Sequence, residues 1–193
     1  SPNYEPGKED SIAALAETKG VSELEVIYDE FLKNGGTNLV YACFTPYDNH
    51  KLDFVERAYS LKSSVAGGSD GGAHCGLICD ASMPTTNLSH WARDREAGKK
   101  IPIELIVRKQ TKDTAETYGL FDRGEIKTGM LADLNIIDFE NLNVTHPKMV
   151  YDLPMGGRRL IQNSFGYLAT VKSGEVVYAV SYTHLTLPTK CSV

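Results

Sequence analysis

The sequence predicts an α/β chain that gives way to a small all-β unit, and three observations carry that expectation. Helical and strand-like patterns alternate over residues 1–119, in the order of a βαβ chain with parallel strands. After Gly119, glycines at 124 and 129 precede a short apolar segment. Lys172, Ser173, Gly174 and Glu175 then read as a tight hairpin turn between two alternating segments, so residues 120–180 are expected to form the β unit.

The elements follow in order. Ser22, Glu23, Leu24 and Glu25 match a capping box, and Leu24, Ile27, Tyr28, Phe31 and Leu32 fall on one helical face before Asn34, Gly35 and Gly36 stop the helix. A strand is expected over Thr37 to Phe44. A second helix, capped by Asn49, carries Leu52, Val55 and Tyr59, and the chain returns to a buried strand over Ser63 to Ala66. Helical patterns then run from Asn87 to Glu96 and from Pro102, a good first-turn proline, to Thr117.

The segment Val65-Ala-Gly-Gly-Ser-Asp-Gly-Gly-Ala-His74 is the main candidate for chemistry. Its glycine pairs let the backbone turn where a Cβ would obstruct it, so one carboxylate and one imidazole emerge at the tip of a short apolar strand. In α/β barrels catalytic groups collect at the carboxyl ends of the strands. Asp70 is therefore the candidate catalytic residue. The alternative at this point is that Asp70 caps its own turn, as aspartate does beside glycine.

Composition narrows the partners. With 41% hydrophobic and 23% charged residues among 193, the chain reads as an ordinary globular protein. A net charge of −5, with scattered Lys and Arg, disfavours nucleic acid, which demands a basic patch, and favours a small-molecule substrate. No apolar run approaches the roughly 20 residues that cross a bilayer, and the first residues lack the regions of a signal peptide. No membrane association and a cytoplasmic location are expected.

Four cysteines do not make a disulfide framework in a chain of this size. Cys43 lies in an apolar run, where cysteine behaves as a small hydrophobe. Cys75 and Cys79 flank Gly76, Leu77 and Ile78 with His74 and Asp80 nearby, but no second pair follows at zinc-finger spacing. Three further groups read two ways. His90 and Trp91 could line a pocket, although a helix that buries Leu88, Trp91 and Ala92 explains them as core. Asp80, Thr85 and Thr86 are candidate substrate neighbours in the long loop after Asp70. Arg158 and Arg159 could bind a carboxylate or form a structural ion pair.

An ordered set of motifs resembles the C-terminal part of a metal-dependent amidohydrolase. It comprises Gly68-Ser-Asp-Gly-Gly-Ala-His74, Leu88-Ser-His-Trp-Ala-Arg-Asp94, Arg108-Lys-Gln-Thr-Lys-Asp-Thr-Ala115, Gly119-Leu-Phe-Asp-Arg-Gly124 and Gly129-Met-Leu-Ala-Asp-Leu-Asn-Ile-Ile-Asp138. More narrowly, these segments are similar to the D-aminoacylase branch, the N-acyl-D-amino-acid deacylases, over residues 1–178. The resemblance implies a (β/α)8 TIM-like barrel, of which residues 1–119 would be the later part, followed by part of a small β-sandwich. It implies a zinc cofactor that lowers the pKa of its water and polarises an amide carbonyl. Asp70 would be the proton shuttle and a candidate metal ligand, and His74, four residues on, would contact substrate.

The departures matter as well. The family's early His-x-His motif and its mid-barrel Cys, Lys and His ligands have no counterpart here. The reading is therefore a C-terminal fragment that depends on a missing N-terminal part of the same enzyme and is inactive alone. From Ser181 onward the pattern is lost, so residues 181–193, including His184 and Cys191, are set aside as a non-native tail. The alternative to a hydrolase is a non-catalytic structural or binding module derived from such a barrel. A serine hydrolase using Ser69, Asp70 and His74 ranks last, because adjacent strand residues face opposite ways and no Gly-x-Ser-x-Gly elbow is present.

Overall fold

The computed structural model describes residues 2–42, 47–69, 71, 72 and 74–180. Among these described residues six short α-helices come first: α1 (Ile12–Lys19), α2 (Glu23–Gly36), α3 (Asp53–Ser60), α4 (Met83–Thr86), α5 (Ile103–Gln110) and α6 (Lys112–Thr117). A π-helix, Asn87–Asp94, continues α4 and closes with the Arg95 N–H bonded to the His90 carbonyl at 2.8 Å. Seven strands follow: β1 (Leu134–Ile137), β2 (Asn143–Val144), β3 (Lys148–Leu153), β4 (Gly157–Ile161), β5 (Ser164–Phe165), β6 (Tyr167–Lys172) and β7 (Glu175–Ala179). They pair antiparallel as β1-β6-β7, β2-β5 and β3-β4.

Local signals placed several elements. The Ser22 side chain accepts from the Glu25 N–H at 3.2 Å and starts α2, whose helical backbone breaks at Lys33, Asn34 and Gly35, the latter two left-handed. Ser173 and Gly174 both take positive φ, +52° and +87°, the geometry of a type I′ turn, and join β6 to β7. Leu88 and Trp91 are buried together with Leu52, Ile101, Ile106 and Leu142, so the π-helix packs as core.

That core is shared with the strands. Ile137 and Tyr167 pack against it, and Leu142 from the β1–β2 connection is fully buried within it. Gly166 permits the approach: it sits at φ +95°, and a Cβ there would lie 2.6 Å from the Leu142 Cα.

Several expectations are not met among the described residues. They form no barrel and no parallel strand pair, and they show neither the strand expected over Thr37 to Phe44 nor the one over Ser63 to Ala66. Thr37–Ala42 has no strand, while Cys43 and Phe44 lie outside the described residues. Over Ser63–Ala66 the Ser64 and Ala66 carbonyls go to side chains rather than to a ladder. Lys109, 3% exposed, donates from Nζ to the Leu61 carbonyl at 2.7 Å and to the Ser64 carbonyl, and Thr114 Oγ1 donates to Ala66 at 3.4 Å. Asn49 does not cap α3: it lies in a turn at φ +49°, and Leu52 holds the N-cap position. The apolar face of α2 is not core either. Helix α2 packs on α1 and buries Val26, leaving Leu24 78% and Tyr28 64% exposed.

One buried charged network ties distant segments together. Arg95, 1% exposed, donates from Nε and from one terminal nitrogen to the two Glu5 oxygens, each at 2.9 Å, and also bonds Asp53 at 2.7 Å and the Lys99 carbonyl at 2.8 Å. Its guanidinium lies 4.7 Å above the Trp91 ring. Burial alone would raise the Glu5 carboxyl. Arg95, the Leu52 N–H and His90 at 2.9 Å outweigh burial and bring it down from 4.5 to about 2.

A carboxyl depressed in the folded state adds stability above its unfolded value and loses it as pH falls through the folded value. The Glu5 contribution is therefore whole above 4.5 and drains away towards pH 2. Urea unfolding of the parent chain across that interval should fall more steeply than that of Glu5→Gln. Parallel curves would mean that Glu5 does not set the acid sensitivity.

Candidate functional site around the glycine-rich loop

The glycine-rich loop leaves the carbonyls held by Lys109 and Thr114 and runs to the start of α4. Cβ atoms built on Gly67 and Gly68 would meet open space, one on Gly71 would lie 3.2 Å from the Ala81 Cβ, and Gly72 takes φ +98°. Asp70, the predicted catalytic residue and metal ligand, lies outside the described residues, as does Ala73.

His74 is solvent-exposed and left-handed at φ +44°, an uncommon conformation for a residue with a Cβ. Its carbonyl accepts from the N–H groups of Leu77 at 2.8 Å and Ile78 at 3.0 Å, which closes a turn after His74. The next carbonyl, of Cys75, accepts from the Leu160 N–H on β4 at 2.6 Å.

The far end of the loop is tied down separately. Asp80 accepts the Met83 N–H through its carbonyl at 2.8 Å, and Ser82, at the N-cap of α4, donates its hydroxyl to Gln162 Oε1. Gln162 Nε2 in turn donates to the Tyr4 hydroxyl at 2.9 Å and the Thr145 carbonyl at 2.8 Å. Burial raises the Tyr4 phenol, and Cys79 and Asp80 reinforce the rise against the Gln162 hydrogen bond. Burial also pushes up the Cys79 thiol, with Asp80 adding to it.

The remaining candidates fall into place. Thr85 is buried and shares a 2.8 Å hydrogen bond with the Tyr167 hydroxyl, so it joins α4 to β6. Arg159 forms a two-point ion pair with Asp152 at 2.8 and 2.7 Å, the structural alternative among its two readings, while Arg158 turns its carbonyl toward Cys75. His90 is committed to Glu5. Beside it opens a cavity of about 470 Å³ lined by Tyr4, Glu5, Thr86, Ser89, His90 and Asp94, among others.

The model of the amidohydrolase family matches residues 8–178. The chain belongs to the amidohydrolase family. No curated protein and no solved structure matches it. The glycine-rich loop and its anchors thus lie inside the matched span, and a hydrolase acting on carbon–nitrogen bonds is the activity that membership suggests.

Amidohydrolases are usually metal-dependent. Among the described residues of this one, no three His, Cys, Asp or Glu side chains converge as a metal centre requires. The described donors alone do not make a metal centre, and among them Cys75 and Cys79 gain no third ligand. No described helix is long and apolar enough to cross a membrane.

Sequence reasoning missed Glu5, Lys109, Arg95 and Gln162. Arg95 left one usable sign, a charge four residues beyond Trp91 on the buried side of the helical run, which demands a partner. Its partner stands 90 residues away, beyond any local pattern.

Proposed function

We propose that this chain is the C-terminal part of a zinc-dependent amidohydrolase that cleaves the amide of N-acyl-D-amino acids or related small amides. The observation that supports the reading best is the family match over residues 8–178, which includes the entire loop from Gly67 to Asp80. In this reading residues 1–119 complete a TIM-like barrel with an N-terminal part of the same enzyme, and residues 120–180 contribute to a β-sandwich.

Asp70 carries the proton transfers. Its carboxylate removes a proton from water as the water oxygen bonds to the amide carbon, and the carboxylic acid then returns that proton to the nitrogen as the carbon–nitrogen bond breaks. The products are the free carboxylic acid and the amine. His74, exposed at the head of its turn, contacts the substrate. The zinc ligands belong to residues other than the described ones.

The test is hydrolysis by the enzyme that carries this chain, on paired N-acyl-D- and N-acyl-L-amino acids with and without chelator. D-selective hydrolysis that the chelator removes supports the reading. Activity on cyclic amides alone would keep amide hydrolysis and discard the acyl-amino-acid substrate. A protein that binds no zinc and hydrolyses nothing would be the non-catalytic module instead.

A further inference from the structure

We propose that Gln162, with the edge of β4, is a positioning element for His74, so that the strand unit sets the geometry of the substrate-facing loop. This rests on His74 contacting substrate, the role given to it above. Two points of the loop are fastened to one stretch of chain. Cys75, immediately after His74, gives its carbonyl to the Leu160 N–H at 2.6 Å, and Ser82 gives its hydroxyl to Gln162. Leu160, within β4, and Gln162, just past its end, stand two residues apart, one holding the loop through its backbone N–H and the other through its side chain.

The polarity of the Gln162 amide allows one arrangement. The Thr145 carbonyl can only accept, so the nitrogen must face it and Oε1 must face Ser82, whose hydroxyl then has to donate. The nitrogen's other proton goes to Tyr4, which brings the N-terminal segment into the same fastening. Gln162 thereby joins three segments that are far apart in sequence: Tyr4, the end of the loop at Ser82, and the β2–β3 connection at Thr145. The turn that holds His74 left-handed is clamped at its next residue by the Leu160 N–H, so the hold on His74 is exerted through the backbone.

The experiment has two arms. In the first, amide hydrogen exchange is measured on this chain as wild type, Gln162→Leu, Ser82→Ala and Ser82→Thr. The Leu77 and Ile78 amides should exchange about fivefold faster in the first two variants, the size expected for one lost hydrogen bond, with β6 and β7 unchanged and Ser82→Thr close to wild type. In the second, Gln162→Leu in the active enzyme should raise KM about fivefold with little change in kcat, and that rise should vanish in a His74→Ala background. Unchanged loop exchange, a uniform rise over the entire chain, or an equal KM rise with and without His74 would overturn the proposal. If the unsubstituted enzyme hydrolyses no amide, the functional reading fails, and the exchange arm alone still decides whether Gln162 holds the turn.

Discussion

Arg95→Ala should destabilise the chain by about 3–5 kcal/mol, the range for removing one partner of a buried ion pair. The guanidinium is the central group of the network: it bonds both oxygens of Glu5, one of Asp53 and the Lys99 carbonyl. Without it, the Glu5 carboxylate stays buried with only the Leu52 N–H and His90 as partners. Most of the loss is the desolvation of that stranded charge rather than the strength of the original bond. The double variant Arg95→Met, Glu5→Gln should therefore recover much of the loss, since neither residue then carries a buried charge. Urea denaturation of the single and double variants checks this. A loss under about 1 kcal/mol for Arg95→Ala would mean that water reaches the network and screens it.

Asp70→Asn should lower kcat/KM for amide hydrolysis by about 10²–10⁴, the span for removing a positioned acid–base group. Asparagine keeps the size and much of the hydrogen bonding of aspartate, so folding should be unaffected. It can neither take a proton from water nor return one to the leaving nitrogen. The measurement is steady-state hydrolysis of the best substrate by the active enzyme, with the unfolding midpoint as a control on stability. A loss of less than tenfold with the fold intact would remove Asp70 from the chemistry and leave it as a turn residue.

Features encoded within a few residues were legible in the sequence. The Ser22 cap, the stop at Asn34 and Gly35, and the Ser173–Gly174 hairpin depend on local hydrogen bonds and on permitted φ, and all three stand in the structure. The strand read at Ser63–Ala66 failed because an apolar run does not say what will take its carbonyls. Here Lys109 and Thr114 do so, from 45 to 48 residues further along the chain. The face of α2 failed for a related reason: periodicity marks which side chains share a face, and the packing partner decides whether that face is buried. Around the candidate site, the glycines and His74 were visible as a motif. Gln162 was not, because a glutamine after a strand carries no signal until Ser82, Tyr4 and Thr145 are brought to it.

The stack of Arg95 on Trp91 has a practical consequence. Trp91 is the chain's single tryptophan, so all indole emission originates beneath the Glu5–Arg95 pair. Intrinsic fluorescence is consequently a site-specific reporter here rather than an average over the molecule. A shift in its wavelength on acidification reads the opening of that one charged junction, with no label attached.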